Sequence, residues 1–265
     1  MRIVDGQVHL FAPDAQEHAA RIGQVILPPE QIVAAMDGAG VERAYLVPAG
    51  SAANPVCLDA ASRWPDRFRV MGIIGLDKPE SRALLAAFPA SGFIGVRLSF
   101  PPFRRVSWLK DGTAEWFWPE ADRLRLPVMI WAPGQLDEIG KLAGRFPNIR
   151  FVVDHLGLYV EDKDDKVAPV VAELVKLAGH PNVAVKTSAL PAHSTEAYPY
   201  RNLHPSIARA VAAFGAERMM WGTDFTRLPC SYQQAVSMFT EHLEFLSAGD
   251  LEQIMGEAAT RWIGW

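Results

Sequence analysis

The sequence predicts an α/β protein built as a (β/α)8 barrel, and three observations carry that expectation. Short runs rich in Val and Ile alternate with longer amphipathic stretches, the pattern of a buried parallel sheet covered by helices. Eight such units follow one another along the chain. The length, 265 residues, is close to the roughly 250 residues typical of that architecture. An open doubly wound sheet is the alternative; no G-x-G-x-x-G follows a strand-like run, which weakens its dinucleotide-binding form.

The strands are expected, in order, at Arg2–His9, Arg43–Pro48, Arg69–Gly75, Phe93–Leu98, Pro127–Trp131, Ile149–Asp154, Val183–Lys186 and Arg218–Thr223. Helical spacing marks Ser81–Phe88, Val167–Leu177, Ser206–Phe214 and a closing Asp250–Trp262. Pro205 opens the third of these, near a helix start where its missing N–H costs little. Asp111-Gly112, Pro133-Gly134 and Pro65-Asp66 are turn signals between periodic segments. Glu161–Lys166 reads as a solvated loop and Pro191–Tyr200 as a longer loop overhanging a site. With no linker or low-complexity stretch, one domain over residues 1–265 is expected.

Composition excludes several classes of function. Half-apolar content (49%) with 21% charge is that of a protein with a sizeable core. A net charge of −4 gives no basic footprint for nucleic acid or an anionic membrane. Cys57 and Cys230 lack metal-type spacing and read as reduced thiols. No apolar run approaches the roughly 20 residues of a membrane span, and no signal-type segment precedes the first strand, so a cytoplasmic protein is expected.

In such a barrel the active site lies at the C-terminal ends of the strands, so the polar residues ending the apolar runs are the candidates. The first run carries Asp5, Gln7 and His9 at period two, which would point all three into the barrel. The sixth ends in Val153-Asp154-His155 and the eighth in Thr223-Asp224. Arg97, Trp131 and Lys186 come from the fourth, fifth and seventh, and Arg227 follows Asp224. A lone strand-end histidine is more often a hydrogen-bonded structural residue than a catalytic one. His9, His155 and Asp224 on three different strands are hard to explain as packing. Arg97, Lys186 and Arg227 suit a substrate carboxylate, with a structural salt bridge or helix cap as the plain alternative, and Trp131 suits a pocket wall. His18, His180, His193, His204 and His242 read mostly as surface residues.

These motifs resemble the amidohydrolase superfamily, in its amidohydrolase-related branch that includes 2-pyrone-4,6-dicarboxylate lactonase and other lactonases. IVDGQVHLF is similar to the first-strand motif, Gly95–Arg97 to the fourth, Val153–Gly157 to the sixth, NVAVKTSA from Asn182 to the seventh, and Trp221–Phe225 to the eighth. The resemblance runs from end to end and implies a distorted (β/α)8 barrel. Metal-dependent members carry His-x-His on the first strand and a histidine on the fifth, where this chain has Gln7-x-His9 and Trp131. Two ligands are thus missing, and no metal cofactor is favoured; zinc or manganese, if bound, would be held by His9, His155 and Asp224.

The expected reaction is hydrolysis of a small carboxylate-bearing lactone. Asp224 takes a proton from water and passes it to the leaving oxygen. His9 and His155, helped by the Gln7 amide, polarise the carbonyl, and Arg97, Lys186 and Arg227 hold the carboxylate while Trp131 packs on the ring. The alternatives are a metal-dependent, cofactor-free decarboxylase of a hydroxylated aromatic acid and a non-catalytic barrel that binds a small carboxylate. The aromatic C-terminal segment Arg261–Trp265 is expected at the subunit interface of a homodimer, with packing against its own barrel as the alternative.

Overall fold

The computed structural model describes residues 1–101 and 108–265. Eight strands form one parallel sheet in sequence order: β1 Val4–Leu10, β2 Arg43–Pro48, β3 Phe68–Gly72, β4 Phe93–Ser99, β5 Pro127–Trp131, β6 Arg150–Val153, β7 Val183–Ser188 and β8 Met219–Gly222. The helices α1 Gln16–Arg21, α2 Pro29–Gly38, α3 Asn54–Arg63, α4 Glu80–Ala86, α5 Phe117–Arg123 and α6 Leu136–Arg145 accompany the first half. Those of the second half are α7 Val167–Leu174, α8 His204–Phe214, α9 Tyr232–His242, α10 Ala248–Glu252 and α11 Ala258–Ile263. This is the (β/α)8 barrel the alternation predicts. Among the described residues no helix is long and apolar enough to cross a membrane.

Strand alternation sorts the core into two layers. Tyr45, Val47, Met71, Met129, Val152, Ala184 and Met220 fill the barrel interior. Their neighbours in sequence, such as Leu46, Val128, Phe151, Val185 and Trp221, face outward against the helices. The helix α6 shows the complementary stripe: Leu136, Ile139, Leu142 and Ala143 are buried, the three-and-four spacing that puts one helical face on the sheet.

The C-terminal segment closes the lower end of the barrel, the packing against its own barrel that was the alternative to a subunit interface. Ala258, Ala259 and Ile263 pack into the interior layer. The Tyr45 hydroxyl donates to Ala259 O at 3.2 Å and to Gly264 O at 3.1 Å. Trp265 packs edge-on against Tyr45 and lies within 4.9 Å of the guanidinium carbons of both Arg43 and Arg69, a cation–π arrangement.

Closure between β8 and β1 depends on a carboxylate. Asp5 Oδ1 accepts from the backbone N–H of Gln7 and of Thr223, both at 2.9 Å. Its Oδ2 accepts from the Thr223 hydroxyl and the Tyr232 hydroxyl of α9. The expectation that Asp5 faces the barrel with Gln7 and His9 is therefore wrong. The register of β1 against β2 shifts between Asp5 and Val8, a bulge that turns Asp5 toward the outer layer while Gln7 and His9 stay inside. Gly6 is required at this bulge, since a Cβ there would lie 2.7 Å from Trp221 O. Burial pushes the Asp5 carboxyl up and its four donors oppose that shift.

Removing the carboxylate strands buried donors at the seam, each worth about 1–3 kcal/mol. Asp5→Ala is expected to lower the thermal midpoint by roughly 8 °C or more, given about 2–4 °C per kcal/mol for a chain of this size. Differential scanning calorimetry checks it, and a midpoint within about 1 °C of wild type would show that the seam does not depend on Asp5.

Candidate active site

The strand ends open into a cavity of about 1000 Å³ whose inner wall includes His9, Arg97, Trp131, His155, Asp224 and Arg227. Two of these sit on left-handed backbone just past their strands, His155 at φ 54° and Asp224 at φ 53°. That region is uncommon for non-glycine residues, although His and Asp visit it more than most. In each case the turn directs the side chain back over the barrel mouth. The Asp224 turn is anchored by its N–H donating to Gln7 O at 2.9 Å.

Hydrogen-bond logic fixes the protons of the site. Lys186 Nζ can only donate, and it donates to Gln7 Oε1. The carboxamide nitrogen therefore faces the histidines, with Nε2 at 3.1 Å from His9 Nε2 and 3.3 Å from His155 Nε2. His155 Nε2 must then accept, so its hydrogen sits on Nδ1 and donates to Ser188 Oγ at 2.8 Å. His9 Nδ1 donates to Val47 O at 2.7 Å. Its Nε2 lies between Gln7 and Asp224 Oδ1, the latter 3.1 Å away, and serves one or the other according to whether it carries a hydrogen.

Electrostatics agree with this assignment. Burial pushes His155 down to about 3, against the pull of Asp224 and Asp154, so the ring is neutral at physiological pH. Burial pushes Asp224 up, but His9, His155 and Arg227 outweigh it and hold the carboxyl well below its ordinary range. Arg227 Nε stands 3.8 Å from Asp224 Oδ2. Asp224 Oδ1 has no aligned hydrogen-bond donor among the described residues.

The geometry revises three expectations. His155 was expected to polarise a carbonyl, but a neutral ring whose Nε2 accepts from Gln7 has no hydrogen to give there. Lys186 and Gln7, expected to hold the substrate, are fully buried beneath the mouth. The reason is that β7 runs on to Ser188 rather than ending at Lys186, which places the ammonium one inward-facing position deeper. Lys186 pairs with Asp154 Oδ1 at 2.9 Å, and Arg97 Nε donates to Asp154 Oδ2 at 3.1 Å. His193, read as a surface residue, is 1% exposed and donates from Nδ1 to Asp162 O at 2.7 Å, bracing the loop that carries Tyr159.

Sequence reasoning passed over three residues. Asp154 balances the two cations, and its signal was its inward parity with Val152. Ser188 sets the His155 tautomer from two positions past Lys186. Tyr159 stacks on Trp131, with centroids 6.1 Å apart and planes 20° apart, while Trp131 Nε1 donates to Leu158 O at 2.9 Å. No strand pattern reaches Tyr159, which lies in a loop.

A sequence model of the amidohydrolase family matches residues 4–265. The chain belongs to the amidohydrolase family. The L-fucono-1,5-lactonase of Burkholderia ambifaria is 32% identical over 178 residues, which are 63% of this chain and 58% of that relative. The match thus spans less than two thirds of the curated relative's length. Among solved structures, an amidohydrolase of Burkholderia multivorans with bound zinc superposes with a TM-score of 0.84 at 21% identity, over 99% of both chains. A probable 2-pyrone-4,6-dicarboxylic acid hydrolase of Acinetobacter baumannii, with citric acid bound, gives 0.75 at 17% identity over 100% of both. At these identities the two structures share the fold.

Metal ions occur in this fold, so the donor set of this amidohydrolase bears examination. The His155 Nε2 lone pair that an ion would take is directed at the Gln7 amide, and His9 Nε2 is shared between that amide and Asp224. A carboxamide is neutral and a poor zinc ligand, and indole at Trp131 is none. Among the described residues no three His, Cys, Asp or Glu side chains are arranged to hold a metal. His9, His155 and Asp224, the ligands expected for zinc or manganese, do not fit an ion in this geometry.

Burial also ties stability to pH. His193 is pushed down to about 4 by burial, from an ordinary 6.5. Its contribution is complete above pH 6.5 and is lost as pH falls toward 4, about 3 kcal/mol in all at roughly 1.4 kcal/mol per unit. Wild type should lose thermal stability through that window, and His193→Asn, which keeps a donor for Asp162 O, should lose less, the remaining slope coming from His155, which burial also depresses. Parallel curves for the two proteins would show that His193 does not titrate there.

Proposed function

We propose that this amidohydrolase hydrolyses a carboxylate-bearing lactone. The observation that carries the reading is Asp224: an ionised carboxylate on the cavity wall, with His9 Nε2 3.1 Å from Oδ1 and Arg227 Nε 3.8 Å from Oδ2. In this reading the carboxylate takes a proton from an attacking water. The water oxygen bonds to the lactone carbonyl carbon, the ring C–O bond breaks, and the proton returns from Asp224 to the departing alkoxide. His9, the one imidazole whose Nε2 can exchange Gln7 for Asp224 as partner, can hold that proton in between.

The cations of the wall divide the remaining work. Arg227, beside Asp224, stabilises the developing oxyanion, a role worth roughly 3–4 kcal/mol for a well-placed donor. Arg97, backed by Asp154, receives the substrate carboxylate. The stacked Trp131 and Tyr159 give an apolar face for the ring. Donors of this strength suffice for an activated ester better than for an amide, which places lactones first. The lactonase name of the Burkholderia ambifaria relative and the citrate held by the Acinetobacter baumannii structure agree with a small carboxylate. The decarboxylase alternative needs a metal, and the Gln7 geometry works against it.

The test is a panel of sugar-acid and pyrone-carboxylate lactones followed by acid release in a pH-stat. Asp224→Asn is expected to lower kcat about 10³-fold, at the scale of a lost general base. Arg97→Gln is expected to raise KM by about 10-fold or more, at the scale of a lost charge-assisted contact, with a smaller change in kcat. No turnover of any lactone by wild type, or full activity in folded Asp224→Asn, would refute the reading.

A further inference from the structure

We propose that Lys186 is a positioning residue that locks the Gln7 carboxamide in the place a divalent ion would take, so that the site refuses such an ion. The inference concerns the same site but not its substrate, and it stands or falls on metal binding rather than on lactone turnover.

The Lys186 side chain is 0% exposed, and a buried ammonium requires acceptors on its hydrogens. Its surroundings supply Gln7 Oε1, Asp154 Oδ1 at 2.9 Å, Gly6 O at 3.4 Å and Met129 Sδ at 3.3 Å. Asp154 is itself fixed from the other side by Arg97. The ammonium therefore has one resting place, and the carboxamide oxygen is one of its few acceptors.

That constraint decides which way the amide turns. With Oε1 on Lys186, the amide N–H groups point at the Nε2 atoms of His9 and His155. The reverse orientation would press an NH2 group against an ammonium, which can only donate, and would leave Lys186 without one of its few acceptors. An ion coordinated by the two histidines would have to displace the amide hydrogens and would stand one carboxamide away from a fixed positive charge. Both effects oppose it.

Two substitutions separate the parts. Gln7→His supplies a ligand, and Lys186→Met removes the lock and the charge. Because Lys186→Met leaves Asp154 with only Arg97, the pair Lys186→Met/Asp154→Asn serves as a charge-balanced control. Folding of each protein is checked by near-ultraviolet circular dichroism. Zinc is titrated by calorimetry, retained metal is measured after dialysis, and cobalt(II) absorption reports a tetrahedral site.

Wild type is expected to retain no stoichiometric zinc, and Gln7→His/Lys186→Met to bind one equivalent at least about 100-fold more tightly than wild type, since even groups that only orient a ligand change metal affinity by about 10–100-fold. Gln7→His alone should fall between them, since the ammonium remains. A wild-type protein that keeps one equivalent of zinc and loses it in His155→Asn would overturn the proposal. So would a folded Gln7→His/Lys186→Met protein with no gain over wild type. Either result leaves the lactonase reading to its own assay.

Discussion

A buried ammonium organises this site. Lys186 projects from β7 into the barrel and joins three strands at once, reaching Gln7 on β1 and the Asp154 carboxylate just past β6. A lysine without acceptors in that position would cost several kcal/mol, so its neighbours are constrained by it in turn. The Gln7 amide is oriented, His155 is left to accept through Nε2, and Ser188 completes His155 from the other side. Each proton in the inner layer follows from the one below it.

Asp5 does for the backbone what Lys186 does for the side chains. The β8–β1 seam has no paired strand register among the described residues, and the Asp5 carboxylate bridges it by holding Gln7 N and Thr223 N on one oxygen. Because Thr223 precedes Asp224 and Gln7 lies two residues before His9, the same carboxylate ties together the segments that carry Asp224 and His9. The acid that holds the seam and the acid that faces the cavity are thus joined through a short stretch of backbone, although Asp5 does not line that cavity.

Much of this was legible in the sequence. Strand alternation located the eight runs, and the rule that barrel chemistry sits at strand ends picked out His9, Arg97, Trp131, His155, Asp224 and Arg227, all of which line one cavity. Depth was not legible. Two more residues of β7 place Lys186 below the mouth, and a bulge at Gly6 turns Asp5 outward; a one-residue change in parity reverses a side chain's face. Strand patterns also say nothing of loops, which is why Tyr159 and the buried His193 escaped. The role first expected of His155 failed for a different reason, since a tautomer depends on partners from β1 and β7 that no local pattern joins.

The most direct measurement of the account is nitrogen-15 NMR of the histidine rings across neutral pH. The structure predicts that His155 carries its hydrogen on Nδ1, with an unprotonated Nε2, and that neither signal moves between about pH 6 and 8, well above a value depressed by burial. An Nε2-protonated or doubly protonated His155 would mean that the Gln7 amide faces the other way. The inner network built on Lys186 would then be wrong.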